Sequence, residues 1–211
     1  MDINISTIAD AVLKILQEGD DNDIPVGISN RHVHLTREHV EVLFGKGYQL
    51  QPMKDLSQPG QYACKETVTI IGPSMKPIEK VRILGPERKD SQVEISRTDS
   101  YVLKVKPPVR ESGDIKDSAG ITIIGPKGSL VLTEGCIIAN RHIHMSLADG
   151  TRFGVSDGDY VAVDVFGEKR TRMYGVQIRV SDKFSLEMHL DTDDANAAAL
   201  KNGDRVKLVK E

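Results

Sequence analysis

Residues 30–35, Asn-Arg-His-Val-His-Leu, return 110 residues later as Asn-Arg-His-Ile-His-Met at residues 140–145. A repeat separated by about half of the chain indicates two related structural units. The Ile-Ile-Gly-Pro stretches at residues 70–73 and 123–126 match each other as well, but at a different offset. We therefore expect two related units whose segments are not collinear, an arrangement that allows intertwined halves.

Segments in which apolar and polar residues alternate indicate half-buried strands, and residues 92–96 and 185–189 show this pattern. Gly-Asp pairs at residues 158–159 and 203–204 lie directly before further alternating segments, which resembles the turns of small six-stranded β-barrels. The 18 Gly and 9 Pro residues also favour many turns. We therefore predict a mainly β protein with two small six-stranded-type β-barrels.

Helical segments are few and short in this interpretation. Residues 36–44 and 192–200 are the best candidates for helices that cap the barrels. Residues 1–20 predict a separate N-terminal amphipathic helix, because apolar residues recur at three- and four-residue spacing between residues 5 and 16. This helix either docks on its own domain or binds a partner. A secretory signal peptide is disfavoured, because Lys14 and acidic residues interrupt the apolar segment.

Composition and charge exclude several classes of protein. The formal net charge is −3 at pH 7, which provides no broad positive surface for a nucleic-acid backbone. Apolar runs are far shorter than the ~20 residues of a membrane-spanning helix. The two cysteines, Cys64 and Cys136, are too few for a disulfide framework, and we interpret both as small buried side chains in a reducing cytosol. We expect a soluble protein with no nucleic-acid or membrane partner.

Five of the six histidines lie in strand-like segments with alternating residues. In the first copy of the motif, the two-residue period of a strand places both imidazoles on one face, where they can chelate one metal ion. The second copy has the same spacing, and one further histidine and one glutamate lie on the polar side of other predicted strands. The candidate ligands are His32, His34, Glu94, His142, His144 and His189. Three ligands per metal with open positions would form a catalytic site.

Each of these residues also has an ordinary structural interpretation. Paired histidines occur on solvent-exposed strands, His189 alone could be a buried histidine with satisfied hydrogen bonds, and Glu94 alone could form a surface salt bridge. Two copies of the motif, each preceded by Asn-Arg, favour a metal site over these alternatives. His39 lies in a predicted helix, and we expect it to be exposed and not a ligand.

Arg88 and Arg110 both follow turn-forming residues, a position from which a guanidinium group can bind phosphate through two hydrogen bonds. Taken singly, each is more commonly an ordinary surface arginine. The sequence contains neither the glycine-rich fingerprints of nucleotide-binding loops nor the Gly-x-Ser-x-Gly motif of serine hydrolases. A phosphate-binding site in this chain would therefore depend on metal ions and arginine.

Five ordered motifs resemble the PduL-type phosphate propanoyltransferase (phosphotransacylase) family, over about residues 25–209. They lie at residues 27–35, 55–61, 92–96, 140–145 and 186–193. Members of this family interconvert acyl-CoA and phosphate with acyl phosphate and CoA, usually with propanoyl groups in propanediol degradation, and they carry two zinc ions per chain. The resemblance therefore implies a phosphate acyltransferase with zinc as cofactor and with coenzyme A as substrate or product.

The resemblance also implies an architecture and roles for individual residues. One β-barrel would combine residues 23–30 with residues 140–209, and residues 31–139 would form the other. The zinc ligands would be His32, His34 and Glu94 for one ion, and His142, His144 and His189 for the other. Arg88 would be the catalytic arginine, and Ser112 is the best match to a serine that contacts CoA.

Acyl-CoA and phosphate are the partners that the resemblance implies, together with further copies of this chain in a homo-oligomer. In the family, appended N-terminal helices direct the enzyme into bacterial microcompartments. Residues 1–20 would then bind shell proteins, and the chain would be cytoplasmic, inside such a compartment. The sequence departs from the family at residues 149–151, Asp-Gly-Thr, where members more often carry Asp-Ala in a short helix. A dizinc hydrolase with the same ligands, and metals that only join the barrels, remain as alternatives.

Overall fold

Strands make up most of the regular structure in the computed structural model, which describes residues 22–209. The strands are β1 (Asp23–Ser29), β2 (His32–His34), β3 (Pro52–Asp55), β4 (Tyr62–Ile71), β5 (Pro77–Gly85), β6 (Gln92–Glu94), β7 (Val109–Arg110), β8 (Ala119–Ile124), β9 (Ser129–Ala139), β10 (His142–Met145), β11 (Tyr160–Val165), β12 (Thr171–Val180), β13 (Glu187–Asp191) and β14 (Arg205–Val209). The helices are α1 (Arg37–Phe44), α2 (Arg97–Leu103), α3 (Leu147–Phe153) and α4 (Thr192–Ala197). The mainly β fold class is confirmed, while the helix predicted at residues 1–20 lies outside the described residues.

Strands from both ends of the described chain form one closed six-stranded barrel, which we call the split barrel. Its strand order is β1-β13-β10-β12-β11-β14, and β14 closes the barrel by pairing with β1. Alternate side chains fill its interior, and Ile24, Ile143, Ile178 and Met188 are fully buried there. The first described strand therefore depends on the last strands for its hydrogen bonds.

The strands between β1 and β10 form a second barrel, the continuous barrel. β4, β5, β2, β6, β9 and β8 pair in this order, and β8 closes the ring by pairing with β4. β3 extends the sheet beside β4, and β7 extends it beside β9. Val33, Ile70, Ile83 and Ile123 are fully buried in its core. The described residues thus form the two six-stranded barrels that the sequence predicts.

The two barrels share one topology. In each, the strand with the His-x-His motif has one parallel and one antiparallel neighbour: β5 and β6 for β2, and β12 and β13 for β10. β13 and β6 are the antiparallel neighbours of the two His-x-His strands. β1 runs parallel to β13 and β9 runs parallel to β6, so β1 occupies in the split barrel the place that β9 occupies in the continuous barrel. The split barrel is therefore a circular permutation of the continuous barrel, and the repeated halves are intertwined.

The two Ile-Ile-Gly-Pro stretches belong to the continuous barrel alone and do not relate the two halves. They end β4 and β8, which pair with each other. A Cβ at Gly72 would lie 2.3 Å from the carbonyl oxygen of Leu103 at the end of α2. A Cβ at Gly125 would lie 2.6 Å from the carbonyl oxygen of Leu43 in α1. The backbone N–H groups of Ser74 and Lys127 donate to the carbonyl groups of Leu103 and Leu43 at 3.2 and 2.9 Å. The Gly-Pro turns thus fasten both helices to the barrel, and only glycine permits the approach.

The helices are short, and each is capped by the side chain of the residue that precedes its first turn. α1 matches the predicted segment with Thr36 as its N-cap, whereas α4 ends three residues before the predicted end. α2 is absent from the sequence-based prediction, and α3 lies where only the family resemblance implies a short helix. Ser-x-x-Asp capping boxes mark both helices, at residues 96–99 and 146–149. The Asp-Gly-Thr departure at residues 149–151 therefore does not remove the helix. Within residues 22–209, no helix is long and apolar enough to cross a membrane.

Replacing Gly125 with alanine should destabilise the continuous barrel by about 2 kcal/mol, because the new methyl group would clash with the Leu43 carbonyl and push α1 away from the Gly-Pro turn. Urea denaturation followed by circular dichroism measures this change in the free energy of unfolding. Gly167→Ala is the matched control, since nothing lies within 4 Å of a Cβ there, and its stability should stay within about 0.5 kcal/mol of the parent. Equal stabilities of the two variants would contradict the role of the Gly-Pro turn.

Candidate active site

β2 and β6 bring the first three candidate ligands together. His32 and His34 alternate on β2, and Glu94 lies directly opposite His32 on the antiparallel strand β6. The ligand atoms of these buried side chains all lie within 4.8 Å of one another. His32 Nε2 is 3.4 Å from Glu94 Oε2. We call these three residues the His-His-Glu group.

β10 and β13 build a second group in the same way. His142 and His144 alternate on β10, and His189 lies opposite His142 on the antiparallel strand β13. The centroids of the three rings are 4.7, 4.7 and 5.1 Å apart, so the rings surround a common point. Their ligand atoms also lie within 4.8 Å of one another. We call these three residues the three-His group.

Backbone carbonyl groups orient the first histidine of each group. His32 Nδ1 lies 2.8 Å from the carbonyl oxygen of Asn30, and His142 Nδ1 lies 2.8 Å from that of Asn140. When the proton is on Nδ1, each ring donates to its carbonyl and keeps the Nε2 lone pair for a metal ion. The asparagine of the repeated motif thus acts through its backbone, two residues before the ligand.

The arginine of the repeated motif has a structural partner in each barrel. Arg31 Nε lies 2.8 Å from a carboxylate oxygen of Asp99 in α2. A guanidinium nitrogen of Arg141 lies 3.3 Å from a carboxylate oxygen of Asp194 in α4. These ion pairs tie a helix to the start of each His-x-His strand. The repeat Asn-Arg-His therefore combines two positioning residues with one candidate ligand.

Burial keeps most of these imidazoles neutral, which is the form that binds metal ions. Burial and the neighbouring histidines lower the pKa of His142 to about 4 and that of His144 to about 2. Burial also lowers the pKa of His34 well below its ordinary value. His32 differs, because the Glu94 carboxylate outweighs the effect of burial and raises the pKa of this ring. Burial raises the pKa of Glu94, but His32 outweighs it and the net pKa is far below the ordinary value.

The donor atoms of both groups fit a metal ion such as zinc. The buried Nδ1 atoms of His34 and His144 have no hydrogen-bond partner among residues 22–209. His189 Nε2 lies 3.0 Å from a carboxylate oxygen of Glu187, but the alignment is not that of a hydrogen bond. Buried polar atoms are normally paired, so these atoms call for a partner. Sets of three nitrogen and oxygen donors suit a borderline ion such as zinc.

A single cleft between the two barrels contains both groups. Its volume is about 670 Å³, and side chains from both barrels line it. The lining includes all six candidate ligands together with Arg88 and Ser112. Each group supplies three protein ligands and not the four of a closed structural zinc site. The arrangement can therefore present two metal ions to molecules that enter from solvent.

Arg88 and Ser112 meet beside the His-His-Glu group. The Arg88 guanidinium donates to Ser112 Oγ at 3.2 Å, and this hydroxyl donates to Glu94 Oε1 at 2.7 Å. The buried Gln92 also donates to Ser112 Oγ at 3.0 Å, and its own Oε1 accepts from the backbone N–H of Gly113 at 2.7 Å. Gln92 thus fixes the loop that carries Ser112. Gln92 lies in the motif at residues 92–96 that carries the family resemblance, but no sequence pattern indicates that its side chain holds the Ser112 loop.

Two other residues from the sequence analysis lie outside the cleft lining. Arg110 forms an ion pair with Asp114 at 2.9 Å, so its proposed role as a phosphate clamp is not supported. His39 is half-buried, with Nδ1 2.6 Å from Ser91 Oγ, and the expectation that it is exposed is wrong. It belongs to neither group of candidate ligands.

Several cleft residues are not indicated by sequence patterns. Gln58 is only 3% exposed, and its side-chain amide joins the barrels, donating to the Ser185 carbonyl at 3.0 Å and accepting from the Ser185 N–H at 3.2 Å. Ser57 donates to the Glu187 carboxylate nearby. Arg179 lines the cleft from the split barrel. Only the fold, which brings distant segments together, identifies these residues.

Comparison with known proteins identifies the family. The sequence profile of phosphate propanoyltransferase matches residues 25–201. The phosphate propanoyltransferase of Lachnoclostridium phytofermentans is 55% identical over an alignment of 212 positions that covers 99% of each chain. That of Thermotoga maritima is 58% identical over 89% of each chain, and that of Priestia megaterium is 52% identical over 94% of this chain and 92% of its own. This chain therefore belongs to the phosphate propanoyltransferase family, a family of acyltransferase enzymes.

Proposed function

We propose that this chain interconverts propanoyl-CoA and phosphate with propanoyl phosphate and CoA at a site that holds two zinc ions. One observation carries the proposal: two three-ligand groups and Arg88 line the same cleft. A protein in which metals only join the barrels needs no such shared opening. The names of the relatives supply the acyl group and the phosphate acceptor.

The two groups would hold one zinc ion each, the His-His-Glu group on the continuous barrel and the three-His group on the split barrel. When bound, zinc supplies charge neutralisation for phosphate and stabilises the thiolate of the leaving CoA. The ligand charges differ between the groups. Glu94 brings one negative charge to its group, whereas the three-His group contains no carboxylate ligand. We therefore place phosphate on the three-His side and the CoA sulfur on the side of Glu94.

The reaction requires one bond to form and one to break. A phosphate oxygen attacks the thioester carbonyl carbon, the new C–O bond forms, and the C–S bond breaks. The proton of hydrogen phosphate ends on the sulfur of CoA, so the products are acyl phosphate and free thiol. The cleft brings the two substrates together, which removes the entropic cost of their encounter from the chemical step.

Arg88 is the residue placed to stabilise the negative charge that develops on the carbonyl oxygen. Its guanidinium is half-buried beside the His-His-Glu group and forms no ion pair with a carboxylate within the described residues. The Ser112 hydroxyl accepts a hydrogen bond from Arg88 and donates one to Glu94, so it fixes the orientation of the guanidinium. A donor held in place before the reaction loses no energy to reorganisation. Ser112 also lines the cleft, where we propose that it contacts CoA.

Release of free thiol from propanoyl-CoA should depend on inorganic phosphate and should yield propanoyl phosphate in equal amount. Thiol release followed with a colorimetric reagent, together with trapping of acyl phosphate by hydroxylamine, measures both products. Thiol release without phosphate, with propanoate as product, would show a hydrolase and contradict the proposal. No reaction in either condition with zinc-loaded protein would contradict it as well.

His34→Ala and His144→Ala should each remove about one zinc ion per chain and abolish acyl transfer, because each variant leaves one group with two ligands. Zinc content by atomic absorption measures the loss. His39→Ala is the matched control, since this histidine contacts Ser91 and belongs to neither group. It should keep the zinc content and activity of the parent chain. Full zinc content and full turnover in either ligand variant would contradict the assignment.

Arg88→Lys should lower kcat on the order of 10²-fold and raise KM for propanoyl-CoA much less, with zinc content unchanged. Lysine keeps the charge but lacks the planar guanidinium that fits an oxyanion. Because the oxyanion develops in the transition state, the substitution should mainly reduce transition-state stabilisation. Arg37→Lys serves as the control and should match the parent, because Arg37 lies outside the cleft lining and pairs with Glu41 and Glu87. A normal kcat with a raised KM for phosphate would assign Arg88 to ground-state phosphate binding instead.

A further inference from the structure

The third candidate ligand of each group is preceded, two residues earlier on its strand, by a long polar side chain. Gln92 precedes Glu94 on β6, and Glu187 precedes His189 on β13. The two positions are equivalent in the two barrels, because each lies opposite the second histidine of its group. Residues two apart on a strand face the same side of the sheet, so Gln92 and Glu187 both lie beside the ligand that follows them.

The chemical type of the side chain at this position matches the ligand that it accompanies. The Gln92 amide nitrogen donates to Glu94 Oε1 at 2.5 Å. A carboxylate ligand offers only acceptor atoms, so the residue that orients it has to supply a donor. An imidazole ligand has the opposite requirement: when one ring nitrogen binds a metal ion, the other carries a proton and needs an acceptor. Glu187 supplies such an acceptor beside His189.

The Glu187 carboxylate is held against the His189 ring. Its Oε2 atom lies 3.0 Å from His189 Nε2, a distance at which a modest rotation of the ring aligns an Nε2–H with the carboxylate. Ser57, on a loop of the continuous barrel, donates to the same oxygen. A Cβ at Gly27, which pairs with His189 from β1, would lie 2.7 Å from Glu187 Cδ and would displace the carboxylate. The Glu187 side chain is only 15% exposed, so its position is well confined.

The two nitrogens of the His189 ring then have different partners. Nε2 is buried and makes no aligned hydrogen bond in the part of the chain that the structure describes, and buried polar atoms normally have a partner. Glu187 is not a member of the three-His group, although it touches one of its rings. Its carboxylate therefore lies beside the space that the three rings share and not within it. An Nε2–H that points to Glu187 leaves Nδ1 for that shared space.

We propose that Glu187 is the positioning residue of the three-His group: it accepts a hydrogen bond from His189 Nε2 and so presents Nδ1 to the metal ion. This inference deepens the proposed function, because it rests on a zinc ion in this group. Since Ser57 holds Glu187 from the opposite barrel, the ligand geometry of the split barrel depends on a loop of the continuous barrel. Gln92 acts in the same way on Glu94.

Side-chain ¹⁵N spectra of the histidines in the zinc-loaded full chain test this assignment directly. His189 should carry its proton on Nε2. His32 and His142 are internal references for the opposite form, because their Nδ1 atoms face backbone carbonyl groups and should carry the proton. A His189 ring with its proton on Nδ1 and with Nε2 on zinc would overturn the inference.

Glu187→Gln keeps the shape of the side chain and removes its charge, and it should weaken zinc binding at the three-His group about 10- to 100-fold. Competition with a chelator should then resolve one weakened and one unchanged zinc site per chain. Ser57→Ala should give a smaller loss in the same direction. Glu66→Gln is the matched control, because Glu66 is a buried carboxylate outside the cleft that accepts from Tyr48 and Gln51. This control should lose stability but keep the zinc affinity of both groups.

The possible results separate this inference from the proposed function. Unchanged zinc affinity in Glu187→Gln, or equal weakening of both groups, would overturn the positioning role while leaving acyl transfer intact. A parent chain that binds no zinc at the three-His group would overturn the two-zinc site and the inference together. A parent chain that binds two zinc ions but does not transfer propanoyl groups would contradict the proposed function alone. In that case the ¹⁵N spectra and the zinc affinities would still decide the role of Glu187.

Discussion

Cross-strand register between antiparallel strands is the constraint on which the site depends. His32 lies opposite Glu94, and His142 lies opposite His189, so each group is completed by the strand next to the His-x-His strand. A slip of one residue would turn the third side chain to the other face of the sheet. Closure of each barrel prevents such a slip, because every strand is fixed by two neighbours. The apolar cores therefore stabilise the site indirectly, by fixing which residues face each other.

The two halves of the molecule have kept one topology while their sites have diverged in charge. Both His-x-His strands begin with an Asn carbonyl that orients the first ring and with an arginine paired to a helix. The third position is Glu94 in one barrel and His189 in the other. A single difference at equivalent positions gives one group a carboxylate among its candidate ligands and the other group none. Two related units thus provide two candidate ligand groups of different chemical character in one cleft.

Sequence patterns predict features that depend on neighbouring residues, such as strands and turns, but not contacts between distant segments. The two-residue period of a strand is sufficient to place His32 beside His34, and the turn and strand patterns are sufficient for the fold class. Glu94 and His189 are recognisable locally only as ligand-type residues on the polar side of predicted strands. Register between segments far apart in the chain decides which group each one joins, so that assignment came from the resemblance to a family. Gln92 and Arg179 make contacts that only the folded chain creates. The Ile-Ile-Gly-Pro match misleads because two neighbouring strands meet the same packing requirement, not because they are copies.

The placement of β1 has a consequence for the order in which the chain folds. All strands of the continuous barrel are contiguous, whereas β1 pairs with β13 and β14 at the other end of the described chain. During synthesis from the N-terminus, β1 leaves the ribosome before the other described strands, and its partners β13 and β14 emerge only after the continuous barrel. The continuous barrel can close during this interval. Among the described residues, the three-His group, and with it the complete cleft, then assembles after the continuous barrel.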